Sequence, residues 1–205
     1  MSSNGVIRLA TPDDADGVQA IYAPVVRDTA ISFEWEPPST AEMRARITNI
    51  LGDALPWIVY ASDDACHGYA YAAPHRARAA YRWSVDVSVY IHPGSRRRGV
   101  GHALYTSLFA VLALQGFQNA YAGATLPNAA SVGLHTRVGF QKIGVYTRVG
   151  FKHGAWHDVI WWHRALGPYP LDPAPPLTLV EAAQSPAWDA ALAAGMHWLA
   201  PNTAP

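Results

Sequence analysis

Read along the chain, apolar residues recur with two different periods. Val18, Ile21, Tyr22 and Val25 share one face of a helix. The preceding Thr11-Pro12-Asp13-Asp14 supplies a Thr cap, a proline for the first turn and acids where the helix dipole favours them. Residues 7–10, just before, read as a short strand. Met43, Ile47 and Ile50 form a second helical stripe, opened by the capping-box spacing of Ser39 and Glu42 and closed by Gly52. Strands follow over 57–61 and 68–73, parted by the turn-forming Ser62-Asp63-Asp64. The clearest alternation lies in 82–92: Trp83, Val85, Val87, Val89 and Ile91 fall on one face of a strand, and Ser84, Asp86, Ser88 and Tyr90 on the other.

After a turn at Pro93-Gly94, Leu104, Leu108, Val111 and Leu112 mark a helix that begins near Gly99 and stops at Gly116. Residues 119–125 read as a further strand. Pro127-Asn128 opens another helix with Val132, His135 and Val138 on one side and Gly139 at its end. Residues 140–147 and 155–163 are expected to pair as a hairpin across a glycine-containing loop. The string Thr-Arg-Val-Gly-Phe at 136–140 recurs at 147–151. Two copies are too few for a solenoid, and their predicted contexts differ.

Composition narrows the class. The chain has 205 residues, half of them hydrophobic, enough for one α/β domain with a substantial core. From Pro168 the sequence turns Pro-rich and then Ala-rich, which divides a domain over 1–167 from an extension over 168–205 with a short helix around 187–194. Lys plus Arg and Asp plus Glu number 15 each, so attraction to a nucleic-acid backbone is not expected to dominate. Cys66 is the only cysteine, which rules out an internal disulfide and suits a reducing compartment. No signal peptide and no apolar run of about 18 residues is present, so a cytoplasmic protein without membrane contact is expected. His153, His157 and His163 lack cysteines or clustered carboxylates, so no metal site is expected.

The candidate chemistry begins at Arg96-Arg97-Arg98-Gly99-Val100-Gly101. Main-chain amides at a helix start, approached through small residues and flanked by guanidinium groups, suit a diphosphate. The arginine triplet alone leaves an ordinary solvated turn open. The segment has neither the Gly-Lys-Ser/Thr end of a Walker loop nor the Gly-x-Gly-x-x-Gly of a dinucleotide fold.

Val89-Tyr90-Ile91-His92-Pro93 followed by 96–101 resembles the acetyl-CoA-binding motif of the GNAT superfamily. The resemblance implies the GNAT (acyl-CoA N-acyltransferase) α/β fold, a central mixed, mostly antiparallel twisted sheet flanked by helices. It implies that Ser88, Val89, Tyr90 and Ile91 hold the pantetheine of acetyl-CoA, at a bulge that opens the sheet. An amide near Tyr90 or Ile91 would polarise the thioester carbonyl. Arg96, Arg97, Arg98, Gly99, Val100 and Gly101 would take the diphosphate, and Asn128, Ser131 and His135 would border the cofactor.

Residues 76–86 and 152–159, with Ser32-Phe33 and Glu36-Pro37, are similar more narrowly to phosphinothricin and methionine sulfoximine acetyltransferases, over about residues 6–166. That likeness implies a small amino-acid-like acceptor and a homodimer, with Trp156, Trp161 and Trp162 in core and dimer contacts. Asp86, where the family usually has Glu, is the implied general base, and His135 a second proton-transfer group. Arg78 and Tyr81, with Arg76, would hold the acceptor's anionic end; Phe33, Val85 and Val87 would line its pocket. Arg82 stands where those enzymes carry an acid. A polyamine or protein N-terminus as acceptor, or a regulatory acyl-CoA-binding module, are the alternatives.

Overall fold

Seven strands form one sheet in the computed structural model, which describes residues 5–62 and 65–199. They are β1 (Val6–Leu9), β2 (Trp57–Ser62), β3 (Ala65–Pro74), β4 (Ser84–Ile91), β5 (Asn119–Leu126), β6 (Gln141–Lys152) and β7 (Ala155–Ala165), in the order β1-β2-β3-β4-β5-β7-β6. Every neighbouring pair is antiparallel except β4 and β5. That parallel pair spans only three rungs, Ser84–Asn119, Val85–Ala120 and Asp86–Tyr121; beyond them the strands no longer pair. The sheet is therefore forked at Asp86. Pairing of β3 with β4 runs without a register shift from Gly68–Ile91 to Pro74–Val85, so no bulge in that ladder opens the fork, contrary to expectation.

Alternation sorts each strand onto two cores. Ile58, Ala70, Val85, Val87 and Ala120 pack against α3 (Val100–Gln115), whose Leu104, Leu108 and Leu112 are fully buried. Trp57, Val59 and Tyr69 face the other way, toward α1 (Ala15–Asp28) and α2 (Thr40–Gly52). Both N-termini on that face are capped as the sequence predicts. A short 3-10 turn, Pro12–Asp14, carries the Thr11–Asp14 box ahead of α1, and Ser39 and Glu42 bond reciprocally at α2.

The helix α4 (Ala129–Arg137) lies on the α3 face, with Asn128 accepting from the Ser131 amide as its cap. The hairpin of β6 and β7 is longer than expected. Its turn is only His153-Gly154, both at positive φ, and β6 continues to Lys152 through a register shift between Tyr146 and Gly150. Asp158 holds the extra residues by accepting from the Arg148 amide at 2.7 Å. In the extension, α5 (Leu179–Ala182) and α6 (Trp188–Ala193) run along α3. The Trp198 indole stacks on His102, ring centroids 3.8 Å apart, and the Trp198 carbonyl lies against Gly99.

Candidate active site

The fork places Asp86 on the face that β4 turns toward α1 and α2, because its neighbours Val85 and Val87 are committed to the opposite core. Tyr121 of β5 stands beside it in register, and His163 of β7 beside Tyr121. Ala73 of β3 is its other neighbour, so His75, two residues on, returns to the same face. His75 Nδ1 lies 2.7 Å from Asp86 Oδ1. The His75 ring stacks on Tyr121, centroids 4.3 Å apart at 18°, and meets the edge of Tyr81 at 5.9 Å. Partial burial raises the Asp86 pKa above the usual carboxylate value, while the His75 hydrogen bond and the charges of His75 and Arg76 act in the other direction. A carboxylate and an imidazole in contact at the mouth of a forked sheet can together accept a proton from a bound group.

The expected residues divide. Asp86, Tyr81 and Arg76 gather at this site, and Arg78 begins the same exposed 3-10 turn. Val85 and Val87 do not line it: at 0 % and 4 % exposure their side chains fill the α3 core behind the strand. His135 is likewise separate from Asp86. It is buried on the α3 face, stacked on Trp162 at 4.5 Å, with Nε2 bonded to the Tyr105 hydroxyl at 3.0 Å. Its Nδ1 donates to the Ser131 carbonyl at 2.8 Å. Both nitrogens are thus engaged within the protein, and burial lowers the His135 pKa. Ser131 supports this histidine, and Asn128 caps the helix that carries it.

On the α3 face the fork meets a helix start without a side-chain cap. The first helical bond there runs from the Ala103 amide to the Gly99 carbonyl, leaving the amides of Val100, Gly101 and His102 ahead of it. Gly99 adopts φ 83° and sits where an added methyl would strike the Trp198 carbonyl. Arg96, Arg97 and Arg98 are exposed and make no ion pair among the described residues. Ser88, Val89, Tyr90 and Ile91 keep their bonds to β3 while their β5 side is unpaired. Amides, a helix dipole and free guanidinium groups make an anion cradle; the open strand edge adds unpaired peptide groups beside it.

A loop between α1 and α2 packs against the hairpin. Phe33 packs on Gly150 and lies 6.3 Å from the His157 ring. Glu34 fixes the loop through Arg46, at 2.8 and 2.9 Å, and through the Tyr22 hydroxyl at 2.7 Å. From the hairpin, Lys152 donates to the carbonyls of Val26 and Ser32 at 2.6 and 2.7 Å. Its side chain is 2 % exposed, and burial lowers its pKa. The Trp161 indole N–H, over Gly123, is buried without a partner among the described residues. His75, Tyr121, Lys152 and Trp161 were not among the residues the sequence singles out for chemistry. Only the strand register brings the first two to Asp86.

Residues 7–161 match the model of the Acetyltransferase (GNAT) domain. A phosphinothricin N-acetyltransferase of Streptomyces coelicolor is 39 % identical over 164 residues, 78 % of this chain and 95 % of the relative. An L-methionine sulfoximine/L-methionine sulfone acetyltransferase of Pseudomonas aeruginosa is 34 % identical over 164 residues, 79 % of this chain and 95 % of the relative. Among solved structures, a GNAT superfamily phosphinothricin acetyltransferase from Sinorhizobium meliloti in complex with AcCoA superposes with a TM-score of 0.79 at 34 % identity, covering 83 % of this chain and 94 % of that one. A sheet forked beside an uncapped helix start, together with a family match across three-quarters of its length, establishes that this chain belongs to the GNAT acetyltransferase family.

Proposed function

We propose that the protein acetylates the amino group of a small amino-acid-like acceptor of the phosphinothricin, methionine sulfoximine or methionine sulfone type. As a GNAT acetyltransferase it is an acetyl-CoA-dependent N-acetyltransferase. Bound acetyl-CoA supplies an acetyl group already activated as a thioester. The residues present fit it: the amides of Val100, Gly101 and His102 and the free arginines suit its phosphates, and the β4 edge from Ser88 to Ile91 suits its amide-bearing arm. The acceptor reading rests above all on one observation, the placing of Asp86 at the last paired rung of the fork, on the face away from that cradle.

An acceptor amine reaches the protein as an ammonium, whose lone pair is unavailable until a proton is lost. In this reading the Asp86 carboxylate is responsible for that loss. Arg76, Arg78 and Tyr81 hold the acceptor's anionic end, and Phe33 closes the hairpin side. The hairpin leaves Ile143, Tyr146, Val149, Phe151 and Trp156 exposed, apolar side chains spread over both its faces that a second copy of the chain would partly cover in a homodimer. Residues 1–167 then act as the catalytic unit, with 168–205 as an extension. The lone Cys66 suits a reducing cytoplasm.

Acetyl-CoA consumption measured against a panel of amines tests the reading. Phosphinothricin, methionine sulfoximine and methionine sulfone are expected to turn over faster than polyamines or peptide N-termini, and Asp86→Ala is expected to abolish that turnover. Binding of acetyl-CoA without turnover of any amine would replace this reading with a cofactor-binding module. Light scattering is expected to give twice the chain mass.

A further inference from the structure

We propose that His75 is the group that takes the proton from the acceptor ammonium, and that Asp86 acts by holding and charging it. The inference rests on the reading that an amine enters the fork on the Asp86 face. Asp86 Oδ1 and His75 Nδ1 are 2.7 Å apart, so the carboxylate accepts and Nδ1 carries the hydrogen. That bond leaves the lone pair on Nε2. Among the described residues Nε2 has no hydrogen-bond partner, in contrast to His135, whose two nitrogens are both engaged.

The ring is held on three sides. Tyr121 stacks on it, Tyr81 meets it edge-on, and Asp86 fixes its rotation. The Asp86 side chain is short, and His75 extends its reach by a ring. The step balances simply. One ammonium N–H bond breaks, its proton passes to Nε2, and its electron pair stays on the amine nitrogen. The imidazolium is stabilised by the Asp86 carboxylate and returns its proton to solvent.

The groups around His75 are Asp86 from β4, Tyr121 from β5 and Tyr81 from the exposed turn, with the charge of Arg76 acting on Asp86 and His163 of β7 across Tyr121. Of these His163 is the other imidazole, so His163→Gln serves as the control.

Steady-state kinetics with methionine sulfone as acceptor test the proposal in the full chain. His75→Asn, which keeps a donor toward Asp86, is expected to lower kcat on the order of 100-fold, with the KM for acetyl-CoA held. The acid limb of the wild-type pH profile is expected to vanish in His75→Asn and to persist in His163→Gln. Added imidazole is expected to restore part of the rate of His75→Ala. Independently of turnover, 15N-histidine NMR of the free protein is expected to show His75 as the Nδ1–H tautomer, with its signals shifted in Asp86→Asn.

A His75→Asn variant with wild-type kcat and an unchanged acid limb overturns the proposal. If Asp86→Ala is inactive at the same time, Asp86 remains as the direct base. A loss of rate without rescue and with the limb intact reduces His75 to a structural role and overturns it too. An Nε2–H tautomer overturns it whatever the kinetics. Failure of the wild type on every amine counts against the proposed acceptor class, and the NMR result still decides the tautomer.

Discussion

The surroundings of His75 and His135 differ although both histidines stand beside aromatic rings. His135, on the α3 face, has Trp162 against its ring and a bond at each nitrogen. His75, on the opposite face, has Tyr121 against its ring and, among the described residues, a bond at one nitrogen only. An imidazole whose two nitrogens are both bonded inside the protein is an element of the core; one with a carboxylate on one side and nothing on the other is prepared for chemistry. Position near a presumed cofactor does not separate the two. The hydrogen-bond ledger does.

Substitutions can break or sharpen this contrast. The largest expected effect is that of Asp86→Ala: a fall in kcat of about 100-fold or more, with the melting temperature and acetyl-CoA affinity retained. A variant with near wild-type turnover would remove the Asp86 face from the reaction. Next comes His135→Ala, read out in stability rather than rate. It removes the Trp162 stack and leaves the buried Tyr105 hydroxyl unpaired, which costs about 2–3 kcal/mol in urea titration while kcat stays within a few-fold. A hundredfold loss of kcat in the folded variant would return His135 to the reaction.

Gly99→Ala follows. Its positive φ alone costs about 1–2 kcal/mol, and the added methyl meets the Trp198 carbonyl, so chemical denaturation is expected to show at least that loss. Replacing Arg96, Arg97 and Arg98 together by Gln is expected to raise the KM for acetyl-CoA about tenfold and to flatten its dependence on salt. The smallest effect is on pH. Burial holds the His135 pKa below the unfolded value of about 6.5, so below that pH the unfolded chain binds a proton that the folded one resists. Stability therefore falls as pH drops through this range, and His135→Ala is expected to lose that part of the slope.

Much of this architecture is legible in the sequence where local chemistry decides. The alternation through 84–91 marks β4 and puts Asp86 on the face away from Val85 and Val87, and the Ser39–Glu42 spacing marks the start of α2. The family likeness, not the alternation, sets Val85 and Val87 in the acceptor pocket, and the structure buries both in the α3 core. Thr-Arg-Val-Gly-Phe shows the limit directly. At 136–140 it ends α4 and turns, with Gly139 at positive φ; at 147–151 it lies in the shifted part of β6, with Arg148 at positive φ. Pairing with β7 and the Asp158 bond decide the second context. His75 was invisible for the same reason: its approach to Asp86 depends on the β3–β4 register, a non-local fact.

Lys152 carries one further consequence. A single nitrogen, with no carboxylate at bonding distance among the described residues, rivets the tip of the hairpin to two separate points of the chain around the Phe33 loop. On the proposed function, a wall of the acceptor site would therefore be fastened from outside the reacting centre. Cutting that rivet with Lys152→Met would leave two buried carbonyls without their donor and let the wall drift. Discrimination between amino acids would blur long before the proton-handling groups were disturbed.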